Sequence, residues 1–108
     1  MGISTHLLDT TLGRPAKGVA VSLHLLEENG APRQVAQGVT DGDGRIKPLL
    51  ETIASTGTYR IVFHTGAYLG ATAFFPTVQI DFRVGSVSEN YHVPLLLNPF
   101  GYSTYRGS

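Results

Sequence analysis

The sequence has no cysteine, which removes disulfides, thiolate nucleophiles and cysteine-ligated zinc from consideration and leaves the redox compartment open. It also has no net charge, because eight Lys and Arg residues balance eight Asp and Glu residues. Without a general field of one sign, neither nucleic acid nor an anionic membrane surface is an expected partner. Charged residues of all kinds make up only 15% of the chain, against about 25% in an average soluble domain. With 42% hydrophobic residues beside them, part of the surface is expected to be covered by further copies of the chain. Long apolar runs are missing, whereas a bilayer span needs about 20 residues. The opening Met1-Gly2-Ile3-Ser4-Thr5-His6 lacks the basic segment and apolar stretch of a leader, and His6 stands where a myristoylation signal needs Ser or Thr. The expectation is a soluble, cytoplasmic protein whose mature chain starts at Met1, with the 108 residues forming one domain, 1–108.

What the chain does have is punctuation: thirteen glycines and six prolines separate short runs rich in β-branched and aromatic residues, the spacing of an all-β sandwich or barrel. Thr77 to Val84 is the clearest strand, since Val78, Ile80, Phe82 and Val84 alternate with Thr77, Gln79, Asp81 and Arg83. Gly18 to Leu26 and Thr58 to His64 alternate in the same way. Further strands are predicted at Ile3 to Asp9, Gln34 to Thr40, Arg45 and Ile46, Glu89 to Leu97, and Tyr102 to Gly107, about eight in all and enough for two four-stranded sheets. Ala67 to Ala73 is the one helical segment, short and interrupted by Gly70.

Asp41-Gly42-Asp43-Gly44 opens like a calcium loop, but Arg45 and Ile46 follow where that loop needs an oxygen ligand and a glycine, so it reads as a tight turn. No nucleophile elbow, phosphate loop or paired-histidine zinc helix is present. The histidines are more informative. His6 is in phase with Ser4 and Leu8, opposite Ile3, Thr5 and Leu7; His92 is in phase with Pro94 and Leu96, opposite Tyr91, Val93, Leu95 and Leu97. Both strand phases turn an imidazole away from the core. If the strands are neighbours, the two can serve as general acid and base or as metal ligands. Metal is the weaker choice, for lack of a third ligand at a suitable spacing. His24 and His64 read as ordinary strand histidines. Arg45, just past the glycine turn, is either a solvated strand-end charge or a fixed cation for a planar anion.

The stretch Tyr91-His92-Val93-Pro94-Leu95-Leu96-Leu97-Asn98-Pro99-Phe100-Gly101-Tyr102-Ser103-Thr104-Tyr105-Arg106-Gly107-Ser108 resembles the signature of the transthyretin-related 5-hydroxyisourate hydrolases. Ser4 to Ala16 resembles the first motif of that family and Thr40 to Ile46 its middle one. The resemblance spans essentially the whole chain. It implies a prealbumin (transthyretin)-like sandwich of two four-stranded sheets with one short helix. It also implies a homotetramer, a dimer of dimers whose central channel is lined by the first strand and the last two. The connection from Thr65 to Pro76 is about three residues shorter than the family pattern, within the tolerance of loops, and His64 stands where an acid is more usual.

Carried over by position, the resemblance implies that His6, Arg45, His92 and Ser108 are catalytic. His6, Arg45 and Tyr105 would bind substrate, with Ser103, Arg106 and Gly107 in support. The implied reaction is hydrolysis of 5-hydroxyisourate to 2-oxo-4-hydroxy-4-carboxy-5-ureidoimidazoline in urate breakdown, with no metal and no cofactor. In it the His6 and His92 pair activates water, without a choice as to which is the base, and Arg45 binds and polarises the substrate. Ser108 would add its hydroxyl and a chain-end carboxylate as acceptors. The rival from another class is a non-catalytic transthyretin-like carrier of a small ligand, whose channel should be apolar rather than lined by His and Arg.

Overall fold

A computed structural model describes all 108 residues. It contains strands β1 (Ile3–Asp9), β2 (Arg14–Pro15), β3 (Ala20–Leu26), β4 (Pro32–Val39), β5 (Arg45–Leu50), β6 (Gly57–Phe63), β7 (Val78–Val84), β8 (Tyr91–Asn98) and β9 (Gly101–Thr104). Between β6 and β7 lie helix α1 (Thr65–Leu69) and a 3-10 turn at Gly70–Thr72. One sheet runs β2-β1-β8-β9 with β5 also on β1, and the other runs β4-β3-β6-β7. The two sheets stack as a sandwich, and period-two alternation builds it. Ile3, Thr5, Leu7 and Asp9 of β1 and Tyr91, Val93, Leu95 and Leu97 of β8 are buried, facing Val21, Leu23, Tyr59, Ile61 and Phe63 of the second sheet. Seventeen buried apolar residues form the cluster between the sheets, each large one worth about 1.5–3 kcal/mol of transfer free energy.

The first sheet holds five strands yet is four positions wide. One edge of β1 is shared, by β5 along Ile3 to His6 and by the two-residue β2 along Leu8 and Asp9. The strand predicted at Arg45 and Ile46 continues to Leu50 through Pro48. Proline is compatible with it because β5 is an edge strand, where an N–H can be spared. The other edge of β1 pairs in parallel with β8, Ile3 opposite Tyr91 through Asp9 opposite Leu97, and the Thr5 hydroxyl donates to the Val93 carbonyl at 2.6 Å. Both phases read from the sequence hold: Ser4, His6 and His92 lie half-buried on the outer face of this sheet.

Most other strand ends differ by one or two residues from the expected ones and β2 is an additional short strand; the differences that bear on the site's surroundings are those of the helix and the last strand. The helix begins at Thr65 and keeps α geometry only to Leu69, where Gly70 turns to a φ of 77°; the Tyr68 hydroxyl ties it to β1 by donating to Asp9 at 2.7 Å. The last strand begins at Gly101 and stops at Thr104 rather than reaching Gly107. Its register nevertheless continues, with Leu95 opposite Thr104 and, further on, His92 opposite Gly107. The interruption falls opposite Pro94, which has no N–H to give the ladder. The Thr104 hydroxyl takes up the Pro94 carbonyl at 2.7 Å.

Candidate active site

A groove of about 500 Å³ opens on the outer face of the first sheet, lined by Gly2, Ile3 and Ser4 of the β1 segment, Asn90 and His92 of the β8 segment, Arg45, Lys47, Pro48 and Glu51 from β5 and its end, and Ser108. Ile3 and Pro48 are its only apolar side chains. Such a lining suits a polar, hydrogen-bonding heterocycle.

Arg45 is delivered by the turn before it. Asp41 Oδ1 accepts the backbone N–H of Asp43 at 2.9 Å and of Arg45 at 3.0 Å. Its carboxyl is held below the usual range, chiefly by the Arg45 amide. Gly44 closes the turn at a φ of 73°, its carbonyl accepts from Leu7 N–H at 2.7 Å, and a side chain there would run into the Leu7 carbonyl. The turn is thus pinned to β1, so that Arg45 sits directly across the strand pair from His6.

His92 is clamped from two sides. Its Nδ1 lies 2.8 Å from Ser4 Oγ on β1. On the other side Gly107 donates its N–H to the His92 carbonyl at 2.8 Å, and a Cβ on Gly107 would collide with Cδ2 of the ring. Burial pushes the imidazole below its ordinary pKa, and the positive charges of Arg45 and Lys47 push the same way. The charged form of His92 is therefore disfavoured in the folded chain. Gly107→Ala should displace the ring and change the His92 imidazole resonances, with circular dichroism unchanged; unchanged resonances would show that the close approach is dispensable.

The residues expected at the site divide into two groups. Arg45, His92 and Ser108 share the groove; His6, on the same face of β1 two residues beyond Ser4 and paired with Arg45, is not among its lining residues. Tyr105 and Arg106 lie elsewhere: with Ile80, Phe82 and Tyr91 they line a separate cavity of about 340 Å³ that meets the groove only at His92. Arg106 stacks 4.6 Å over the Tyr91 ring and pairs with Glu89 at 3.7 Å, anchoring the tail that carries Gly107. Ser103 is exposed on β9 opposite Leu96. His24 meets Ser22 Oγ at 3.0 Å and His64 is exposed beside β3, both away from the groove. Lys47, Glu51 and Asn90 line the groove without having been singled out. Strand phase carries the signal for two of them, since Lys47 follows Arg45 by two positions and Asn90 precedes His92 by two.

Residues 3–107 match the model of the HIUase/Transthyretin family. A protein of Salmonella typhimurium named 5-hydroxyisourate hydrolase is 47% identical over 110 residues, covering 98% of this chain and 80% of its own. Among solved structures, 5-hydroxyisourate hydrolase of Klebsiella pneumoniae superposes with a TM-score of 0.86 at 38% identity and full coverage of both chains. Sea bream transthyretin in complex with thyroxine superposes with a TM-score of 0.91 at 33% identity, covering 99% of this chain and 95% of that one. The backbone is thus as close to the thyroxine-bound transthyretin as to the hydrolase, and the side chains of the groove must separate the two.

Proposed function

The chain belongs to the HIUase/transthyretin family, and from that premise we propose that it hydrolyses 5-hydroxyisourate in its outer-face groove, opening the cyclic amide to 2-oxo-4-hydroxy-4-carboxy-5-ureidoimidazoline. The observation that carries this reading is a half-buried imidazole, His92, whose charged form is disfavoured, sharing one polar groove with the Arg45 guanidinium. Water attack on a ring carbonyl needs a base to take a proton and a cation to stabilise the oxyanion, and these two groups supply them. Arg45 is a permanent cation whose planar fork matches a carbonyl or imide edge. His6, across from Arg45, is placed to guide or return a proton. No metal or cofactor is needed for these steps.

Homotetramer assembly is part of the same proposal. Phe74, Phe100 and Tyr102 are exposed, more apolar surface than an isolated chain favours, and a sheet's outer face becomes a channel only when a second copy covers it. The carrier reading draws on the likeness to the thyroxine-bound structure, but a groove with two apolar side chains suits an apolar ligand poorly.

The test is ultraviolet decay of 5-hydroxyisourate generated in place by urate oxidase, with and without the protein. Faster decay is expected. Because the His92 pKa is lowered, the base stays unprotonated as pH falls to the ordinary imidazole value of about 6.5, so kcat should hold there and decline only below it. Decay at the spontaneous rate at every pH would leave a carrier.

A further inference from the structure

We propose that Lys47 receives the carboxylate created when the ring opens, as a second anion-binding group of the groove beside Arg45. This role rests on the hydrolase reading above and deepens it at the product. Lys47 owes its place to an irregularity in the pairing of β1 with β5. Ile46 stands opposite Thr5, but Leu50 rather than Pro48 stands opposite Ile3, so Lys47, Pro48 and Leu49 together face the single residue Ser4. Leu49 turns into the core, while Lys47 and Pro48 stay exposed and line the groove. On its other edge Ser4 is opposite His92. Lys47 and His92 thus flank Ser4 from two sides, on strands about 10 Å apart, twice the spacing of neighbouring strands. A ligand seated over Ser4 lies between the ammonium and the imidazole, with Arg45 two residues along β5 from Lys47.

The ammonium is uncommitted. The ion pairs of the chain join Arg33 to Glu27, Arg60 to Asp81 and Arg106 to Glu89; Lys47 enters none of them, although Glu51 lines the same groove. Its charge nevertheless reaches the site, as one of the causes that lower the His92 pKa. Hydrolysis gives such a cation something to bind. The water oxygen bonds to the carbonyl carbon, the C–N bond breaks, the departing nitrogen takes up one hydrogen of the water, and the acid formed releases the other as a proton, leaving a carboxylate at pH 7. An uncharged edge of the ligand has become an anion. Released from the ring, it can turn about a single bond, and the flexible four-carbon stem of lysine lets Lys47 follow it.

Orotate and uracil share a ring and differ by a carboxylate, so they measure this contact without turnover. Calorimetric titration of the full chain is expected to show orotate bound about 10-fold or more tightly than uracil, the gain from a charge-assisted contact, and the His92 imidazole resonances should shift as orotate enters. Lys47→Gln should abolish the preference by weakening orotate alone, whereas Lys47→Arg should keep it. Equal affinities in the unmodified chain, a preference that survives Lys47→Gln, or His92 resonances unmoved by orotate would each overturn the assignment. Failure of the hydrolase reading would show separately, as 5-hydroxyisourate decaying at its spontaneous rate beside a protein that still holds orotate through Lys47.

Discussion

His92→Ala lowers kcat by about 10² to 10⁴, the range for loss of a positioned general base, while leaving the fold in place. The ring lies on the outer face of the sheet and adds nothing to the cluster between the sheets. The stability of the variant has a definite sign with pH. The folded-state pKa of His92 is lowered, so the folded chain binds a proton at this site less readily than the unfolded chain does. The wild type therefore loses stability as pH falls below the ordinary imidazole value of about 6.5. The alanine variant lacks that liability and should lose less of its Tm between pH 7 and pH 5. Undiminished turnover in the variant would remove His92 from the chemistry.

Arg45→Ala is expected to lower kcat/KM by about 10² to 10³, the loss that follows removal of an oxyanion donor. It carries a second signature, because the Arg45 charge is one of the causes that hold the His92 pKa down. Without it the acid limb of the rate profile should move to higher pH. Arg45→Lys separates the two effects: the charge remains, so the limb should stay near its wild-type position, but the fork is lost and the rate should not recover fully. A rate and a profile both unchanged in Arg45→Ala would leave the guanidinium as no more than the end of a strand.

Strand phase brings Ser4, His6 and His92 into view from the sequence, and the family resemblance supplies the roles of Arg45 and Ser108. Ser4, His6 and His92 were assigned to an outer face because Ile3, Thr5, Leu7, Tyr91 and Val93 alternate with them, and burial is what period two reports. Phase does not report neighbours. That β1 and β8 pair in parallel, that Ser4 and not His6 stands opposite His92, and that Gly107 returns to its other side are matters of register between segments far apart in sequence. Lys47 lies one residue past the strand expected at Arg45 and Ile46, which as an edge strand continues through Pro48. Tyr105 is expected in the site by resemblance alone. The ladder breaks opposite Pro94, and Tyr105 faces a different cavity.

The parallel pairing of β1 with β8 also governs when the groove can come into being. It joins Ile3 to Tyr91 and Asp9 to Leu97, so nearly the whole chain is a loop that must close before Ser4 meets His92. Such closure is paid for late in folding, because its entropy must be spent before the contacts that repay it form. During synthesis β1 emerges first and waits unpartnered on one side until β8 leaves the ribosome. The groove is consequently a property of the completed chain: all strands of the second sheet, β3, β4, β6 and β7, precede β8 in the chain, whereas the groove waits for it.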